Sequence, residues 1–254
     1  MLSVLMHEDR MRATLRFAHP TGNIITNELI GQLQVALDDL RRSPSLRLIM
    51  IEGKGRDFSF GASIPEHAPG TIEASLPLFH ALILDLLAMP VATAAVVRGR
   101  CLGGGFEIAL ACDFILSASD ATFTLPEIKL GVFAPVASVL LPKRVGLAAA
   151  TSALLTGTSR TAEEWQALGL IALTAPAEEL PVAIDRWFRE TLGAHSAEAL
   201  RHAVRAIRAP LVDAAAREIP EIEKLYLNDA MRSHDAAEGI HAFLEKRPPR
   251  WRDR

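Results

Sequence analysis

The stretch RGRCLGGGFEIALACD, residues 98–113, decides how the rest of the chain is read. Three consecutive glycines, Gly103, Gly104 and Gly105, stand directly ahead of Phe106, Glu107 and an apolar run of helical character. Inside a helix glycine costs about 1 kcal/mol per residue relative to alanine, so three at a helix start need a reason. The stretch follows VATAAVV (91–97), which reads as a buried parallel strand. In an open α/β sheet, ligands gather where a strand's carboxyl end leads into a helix. There the helix start offers unpaired N–H groups and partial positive charge, and glycine lets backbone approach a ligand closely. A tight turn without function accounts for the same spacing equally well. A phosphate cradle does not: GxxxxGK[ST] is absent, and GRCLGGG lacks the GxGxxG spacing.

Glu107 also has two readings. A carboxylate in the first helical turn offsets the macrodipole without doing chemistry. A second carboxylate in an apolar setting gives it another meaning, and FTLPEIKLGVF (123–133) supplies one. Glu127 follows Pro126 and sits among Leu125, Leu130, Val132 and Phe133. Two carboxylates on loops at one sheet edge can share a water and pass protons in opposite senses.

Working outward, residues 2–6 and 12–17 alternate as two strands across a charged turn. Thr26 or Asn27 caps a predicted helix to about Arg42, with Leu29, Leu33, Ala36, Leu37 and Leu40 on one face. RLIMIEG (47–53) is a short buried strand, 72–88 a helix stopped before Pro90, and 114–118 and 121–125 two more strands. Strand–helix alternation implies an α/β fold with parallel pairing. After about residue 135 the pattern is almost entirely helical, including 211–232 and 235–246. The expected organisation is an α/β core over 1–195 and a C-terminal helical region over 196–254.

The 254 residues are half hydrophobic with a net charge of −3, enough to bury a large core. That balance argues against nucleic acid as a partner. The C-terminal arginines (Arg247, Arg250, Arg252, Arg254) read as a solvated tail. Cys101 and Cys112 lack a CxxC partner, which indicates free thiols and a reducing compartment. No signal peptide or membrane span is expected, so the cytoplasm is the default location. No metal-ligand spacing is present. His67, in the loop after Ala62, reads as a partly exposed loop residue, with contact to a substrate as the other reading; His80 reads as a packed side chain and Asp113 as a turn cap.

Four stretches, DFSFGASIPEH (57–67), GGGFEIALACDF (103–114), FTLPEIKLGVF (123–133) and AEGIHAFLEKRPPRW (237–251), carry a resemblance in this order and spacing. Over nearly its whole length the chain resembles the crotonase (enoyl-CoA hydratase/isomerase) superfamily. The resemblance implies a crotonase-like spiral of ββα units with a helical C-terminal region that builds trimers, often paired into hexamers. It implies an acyl-CoA thioester substrate, with coenzyme A part of that substrate and no separate cofactor. The backbone N–H groups of Ala62 and Gly104 correspond to the pair that holds the thioester oxygen. Glu107 and Glu127 correspond to the two glutamates that flank the double bond in hydratases, one activating water and the other supplying the proton. Phe60, Ser63, Ile64, Gly103, Phe133 and Pro135 are expected around the acyl group.

Three departures stand out. Ser63 replaces an aspartate of ordinary hydratases. In the first loop only His19 is available for CoA phosphates. Pro135 stands where a glycine N–H helps to position water, and proline has no N–H. The segments FSFGAS and GVFAPVASVLLP most resemble the cyclohexa-1,5-diene-1-carbonyl-CoA hydratases of anaerobic aromatic degradation. Alternatives of the same fold are a short-chain enoyl-CoA hydratase, an enoyl-CoA isomerase, or a non-catalytic CoA- or RNA-binding scaffold.

Overall fold

The computed structural model describes residues 1–68 and 70–254. Strands β1 (Leu2–Met6) and β2 (Arg12–Phe17) pair antiparallel. Helix α1 (Asn27–Arg41) starts at Thr26, whose Oγ1 accepts the Leu29 N–H at 3.2 Å. Its buried face includes Leu29, Leu33, Leu37 and Leu40, as the 3.6-residue spacing predicts. Strand β3 (Leu48–Gly53) joins β2 in parallel, helix α2 (Ile72–Leu87) crosses over, and β4 (Ala92–Val97) joins β3 in parallel.

The next units split between two sheets. β4 leads into β5 (Arg100–Leu102) and helix α3 (Gly104–Ala111); β6 (Phe114–Ala118) leads into β7 (Thr122–Thr124). Helices α4 (Pro135–Val145) and α5 (Leu147–Thr156), strand β8 (Arg160–Thr161), helix α6 (Ala162–Ala167), strand β9 (Leu173–Ala175) and helix α7 (Leu180–Glu190) follow. The larger sheet runs β1-β2-β3-β4-β6-β9 and the smaller β5-β7-β8. The first strand of each unit thus enters one sheet and the second enters the other. An isolated bridge between Ser59 and Cys101 attaches the loop after β3 to the same edge as β5.

Beyond residue 135 the chain is less uniformly helical than its sequence pattern suggests. β8 and β9 are too short, at two and three residues, to show a period of two. Helix α8 (Ala197–Asn228) also starts well before residue 211 and runs through Pro210 and Pro220. Each proline removes one i→i−4 hydrogen bond. Side-chain ties on both flanks hold the helix to the core. Arg208 donates to the Leu86 and Leu87 carbonyls at 3.2 Å and pairs with Asp113. Lys143 meets Glu218 at 2.6 Å, and His80 meets Glu223 at 2.6 Å. Asp113 is therefore more than a turn cap: it also accepts the Thr93 N–H at 2.8 Å.

Helix α9 (His234–Leu244) closes the fold. The arginine tail is not simply solvated, because Arg247 forks onto Glu238 at 2.6 and 2.9 Å. Cys101 and Cys112 are buried free thiols. The main core lies between the sheets and helices. A second, smaller core of Ile72, Leu76, Val132, Tyr226, Met231 and Ile240 joins the start of α2 to the C-terminal helices. Its Leu76, Val132, Tyr226 and Ile240 line the same cleft as Glu107 of α3 and Glu127.

Candidate active site

Residues 57–62 are held on the edge of β5. Ser59 N–H donates to the Arg100 carbonyl at 3.1 Å, and Leu102 N–H donates back to the Ser59 carbonyl at 2.9 Å. Ser59 Oγ donates to the Asn23 carbonyl at 2.8 Å and accepts the Gly61 N–H at 3.0 Å. Ile25 N–H donates to the Gly61 carbonyl and Ser63 N–H to the Ile25 carbonyl, both at 2.9 Å. This bridge uses the groups on either side of Ala62 and leaves the Ala62 N–H without a backbone acceptor among the described residues. A Cβ placed on Gly104 would lie 3.4 Å from the Ala62 nitrogen. Gly104 is the first residue of α3, where a helix offers N–H groups without an intrahelical acceptor. The backbones of Ala62 and Gly104 therefore lie side by side, each with an amide that has no acceptor among the described residues.

Each flanking glycine has its own reason. Gly103 takes φ +49°, and a Cβ there would lie 2.6 Å from Glu127 Oε1. A Cβ on Gly105 would lie 2.6 Å from the Ser59 Cβ, so only glycine lets α3 seat against the loop. The triplet is one turn residue, one amide donor and one packing contact.

Glu107 is 4 % exposed in the first turn of α3. Its Oε1 accepts the Ala137 N–H at 2.9 Å, and the Val136 N–H also points at it. These are the first free amides of α4, since Pro135 occupies its first position without an N–H. Burial raises the Glu107 pKa above the carboxylate range, and the two amides pull it back down. Glu127 opens the short 3-10 turn Glu127–Leu130, which ends at Gly131 with φ +73°. Its Oε2 is buried without a hydrogen-bond partner among the described residues. Burial raises the Glu127 pKa, and the like charge of Glu107 raises it further. The two carboxylates titrate as one pair, with the first charge favoured on Glu107.

The pair lines a concave, mainly apolar cleft that opens to solvent, the kind of place where small molecules bind. Phe60, Ile64, Gly103, Phe133 and Pro135 line it together with Ala62, Gly104 and both glutamates. Ser63 does not line it. That residue is buried behind the loop, and its carbonyl is 3.1 Å from His67 Nδ1. His67, read from sequence as a partly exposed loop residue with substrate contact as the other reading, lines the cleft, and burial lowers its pKa. Leu76 and Phe79 of α2, Tyr226 of α8 and Ile240 of α9 also reach the cleft. Tyr226 is 4 % exposed, packs edge-on against Phe133 at 5.3 Å, and has its pKa raised by burial and by both glutamates. Nothing local in the sequence marks these four. They arrive by long-range packing, Phe79 from the main core and Leu76, Tyr226 and Ile240 from the smaller one, which short-range periodicity does not encode. Among the described residues no group of three His, Cys, Asp or Glu side chains gathers as a metal site.

Residues 12–254 match the family described as enoyl-CoA hydratase/isomerase. The chain belongs to that family. The cyclohexa-1,5-dienecarbonyl-CoA hydratase of Thauera aromatica is 42 % identical over 253 residues, covering 100 % of this chain and 97 % of that one. A probable enoyl-CoA hydratase of Mycobacterium bovis is 31 % identical, with 99 % and 98 % covered. Among solved structures, an enoyl-CoA hydratase from Mycobacterium avium subsp. paratuberculosis K-10 superposes with a TM-score of 0.87 at 28 % identity. That superposition covers 99 % of this chain and 98 % of the other. The fold expected from the four sequence stretches is thereby established, and the chain is a hydro-lyase of the enoyl-CoA hydratase type.

Proposed function

We propose that the enzyme adds water to cyclohexa-1,5-diene-1-carbonyl-CoA, giving 6-hydroxycyclohex-1-ene-1-carbonyl-CoA. The observation that carries this reading is the 42 % identity along the whole chain to the Thauera aromatica hydratase of that substrate. The apolar wall of Phe133, Leu76 and Ile240 with the ring of Tyr226 supports it, because such a wall suits a compact ring.

In this reading the thioester oxygen accepts hydrogen bonds from Ala62 and Gly104. Each such donor stabilises a developing oxyanion by roughly 2.7–4 kcal/mol. Ionised Glu107 takes a proton from water as the water oxygen bonds to the β carbon. The electron pair of the attacked double bond moves through the α carbon to the thioester oxygen. Protonated Glu127 then delivers its proton to the far carbon of the conjugated system, and the remaining double bond settles beside the α carbon. Glu107 ends protonated and Glu127 ionised, so one proton passing from Glu107 to Glu127 restores the starting state. The amides of Ala137 and Val136 favour charge on Glu107, and the unpartnered Glu127 Oε2 favours a proton there. This asymmetry supports Glu107 as base and Glu127 as acid.

The family resemblance further supports a homotrimer or dimer of trimers, and buried free thiols suit a cytoplasmic location. Steady-state hydration of the cyclic dienoyl thioester and of crotonyl-CoA tests the substrate. A higher kcat/KM for the cyclic thioester is expected. Faster turnover of crotonyl-CoA would reassign the enzyme to short-chain hydration.

A further inference from the structure

The cleft holds one more polar group than the two-carboxylate chemistry uses. Tyr226 reaches it from the last turn of α8, its ring fixed against Phe133 and its body inside the smaller core. A buried hydroxyl without a partner is costly, and such groups normally find one. The Tyr226 hydroxyl makes no hydrogen bond among the described residues and is not one of the fully enclosed polar atoms, so it opens onto the cleft that its residue lines, where both glutamates act on it electrostatically.

A water held between two carboxylates has a matching need. It donates its two hydrogens to oxygens, and its own oxygen stays in place only if a donor reaches it. The neighbouring α4 start has no donor to spare. Pro135 lacks an N–H, and the amides of Val136 and Ala137 are turned to Glu107. Of the other polar side chains in the cleft, His67 sits on the Ala62 side with Nδ1 beside the Ser63 carbonyl. Its environment includes His80 but neither glutamate. Tyr226 is the neutral donor beside the carboxylate pair.

Resting on the hydratase reading above, we propose that the Tyr226 hydroxyl donates a hydrogen bond to the reacting water, and in the reverse direction to the product hydroxyl. It thereby supplies the contact that the proline at the start of α4 withholds. The donated bond leaves the water's second lone pair free to attack the β carbon, and Tyr226 itself exchanges no proton. The contact also orients the oxygen in the product complex, so Tyr226 selects for ligands that carry oxygen at that carbon.

Tyr226→Phe keeps the ring and its packing on Phe133 while deleting the donor. With cyclohexa-1,5-diene-1-carbonyl-CoA as substrate, kcat is expected to fall about tenfold. The KM, the thermal midpoint, and the inhibition constant of cyclohexane-1-carbonyl-CoA, which has no double bond to hydrate, are expected to stay within about twofold. Unchanged kcat in the variant would overturn the proposal while leaving the hydratase reading intact. So would an inhibition constant that rises as much as kcat falls, since that marks lost packing. Wild-type enzyme that hydrates neither this thioester nor crotonyl-CoA would overturn both.

Discussion

At Glu127 a buried carboxylate oxygen lacks a hydrogen-bond partner, a deficit worth about 1–3 kcal/mol and more if the group is charged. A chain keeps such a defect where a substrate or a proton resolves it. Glu127→Gln is expected to lower kcat by about 10²–10⁴-fold, the usual loss of a general acid. The wild-type pH profile of kcat/KM is expected to be bell-shaped, with both limbs above the ~4.3 of an ordinary glutamate. Below the first limb both carboxyls are protonated and no base is present; above the second both are ionised and no acid remains. Stability moves in one direction. A carboxyl whose folded pKa is raised favours folding fully below its unfolded pKa, and that contribution is lost as pH rises through the folded value. Melting curves of Glu127→Gln should therefore exceed wild type most in mildly alkaline buffer and converge with it towards about pH 4. A variant no more stable than wild type at alkaline pH would contradict the buried, unpartnered state of Glu127.

Among the elements, α9 lines the cleft with Ile240 and also sets the position of the Glu127 turn. Gly239 lies so close to the Glu127–Leu130 turn that a Cβ there would overlap the Leu130 carbonyl. Gly239→Ala should push the turn, and Glu127 with it, out of register. A loss of about 10–100-fold in kcat is expected from a displacement of this kind, accompanied by a lower thermal midpoint; unchanged kinetics would show that the turn is held elsewhere. Most elements were legible in the sequence. The alternation at 12–17 and the Leu29/Leu33/Leu37/Leu40 stripe each have a strong period, and the structure keeps both. The start of α8 was not legible, because Pro210 reads locally as a helix breaker while Arg208, Lys143–Glu218 and His80–Glu223 hold the helix through tertiary contacts. The candidate site divides in the same way. Glu107, Glu127, Ala62 and Gly104 lie in compact local motifs, whereas Tyr226 lines the cleft only because distant segments pack against its own.

For the molecule as a whole, the C-terminal region does two things. It walls the cleft with Tyr226 and Ile240, and it leaves Leu225, Phe243 and Leu244 exposed. Exposed apolar side chains gathered in one region mark association surfaces. Light scattering in solution is expected to give three or six times the 27.5 kDa chain mass, and a monomer would leave those side chains without a purpose. No helix among the described residues is long and apolar enough to cross a membrane. The account stands most directly on where a bound thioester lies. A crystal structure with cyclohexane-1-carbonyl-CoA is predicted to show its carbonyl oxygen within hydrogen-bond reach of both Ala62 N and Gly104 N, with the ring lying between Glu107 and Glu127. A carbonyl turned away from either amide, or a ring lying outside the pair of carboxylates, would contradict it.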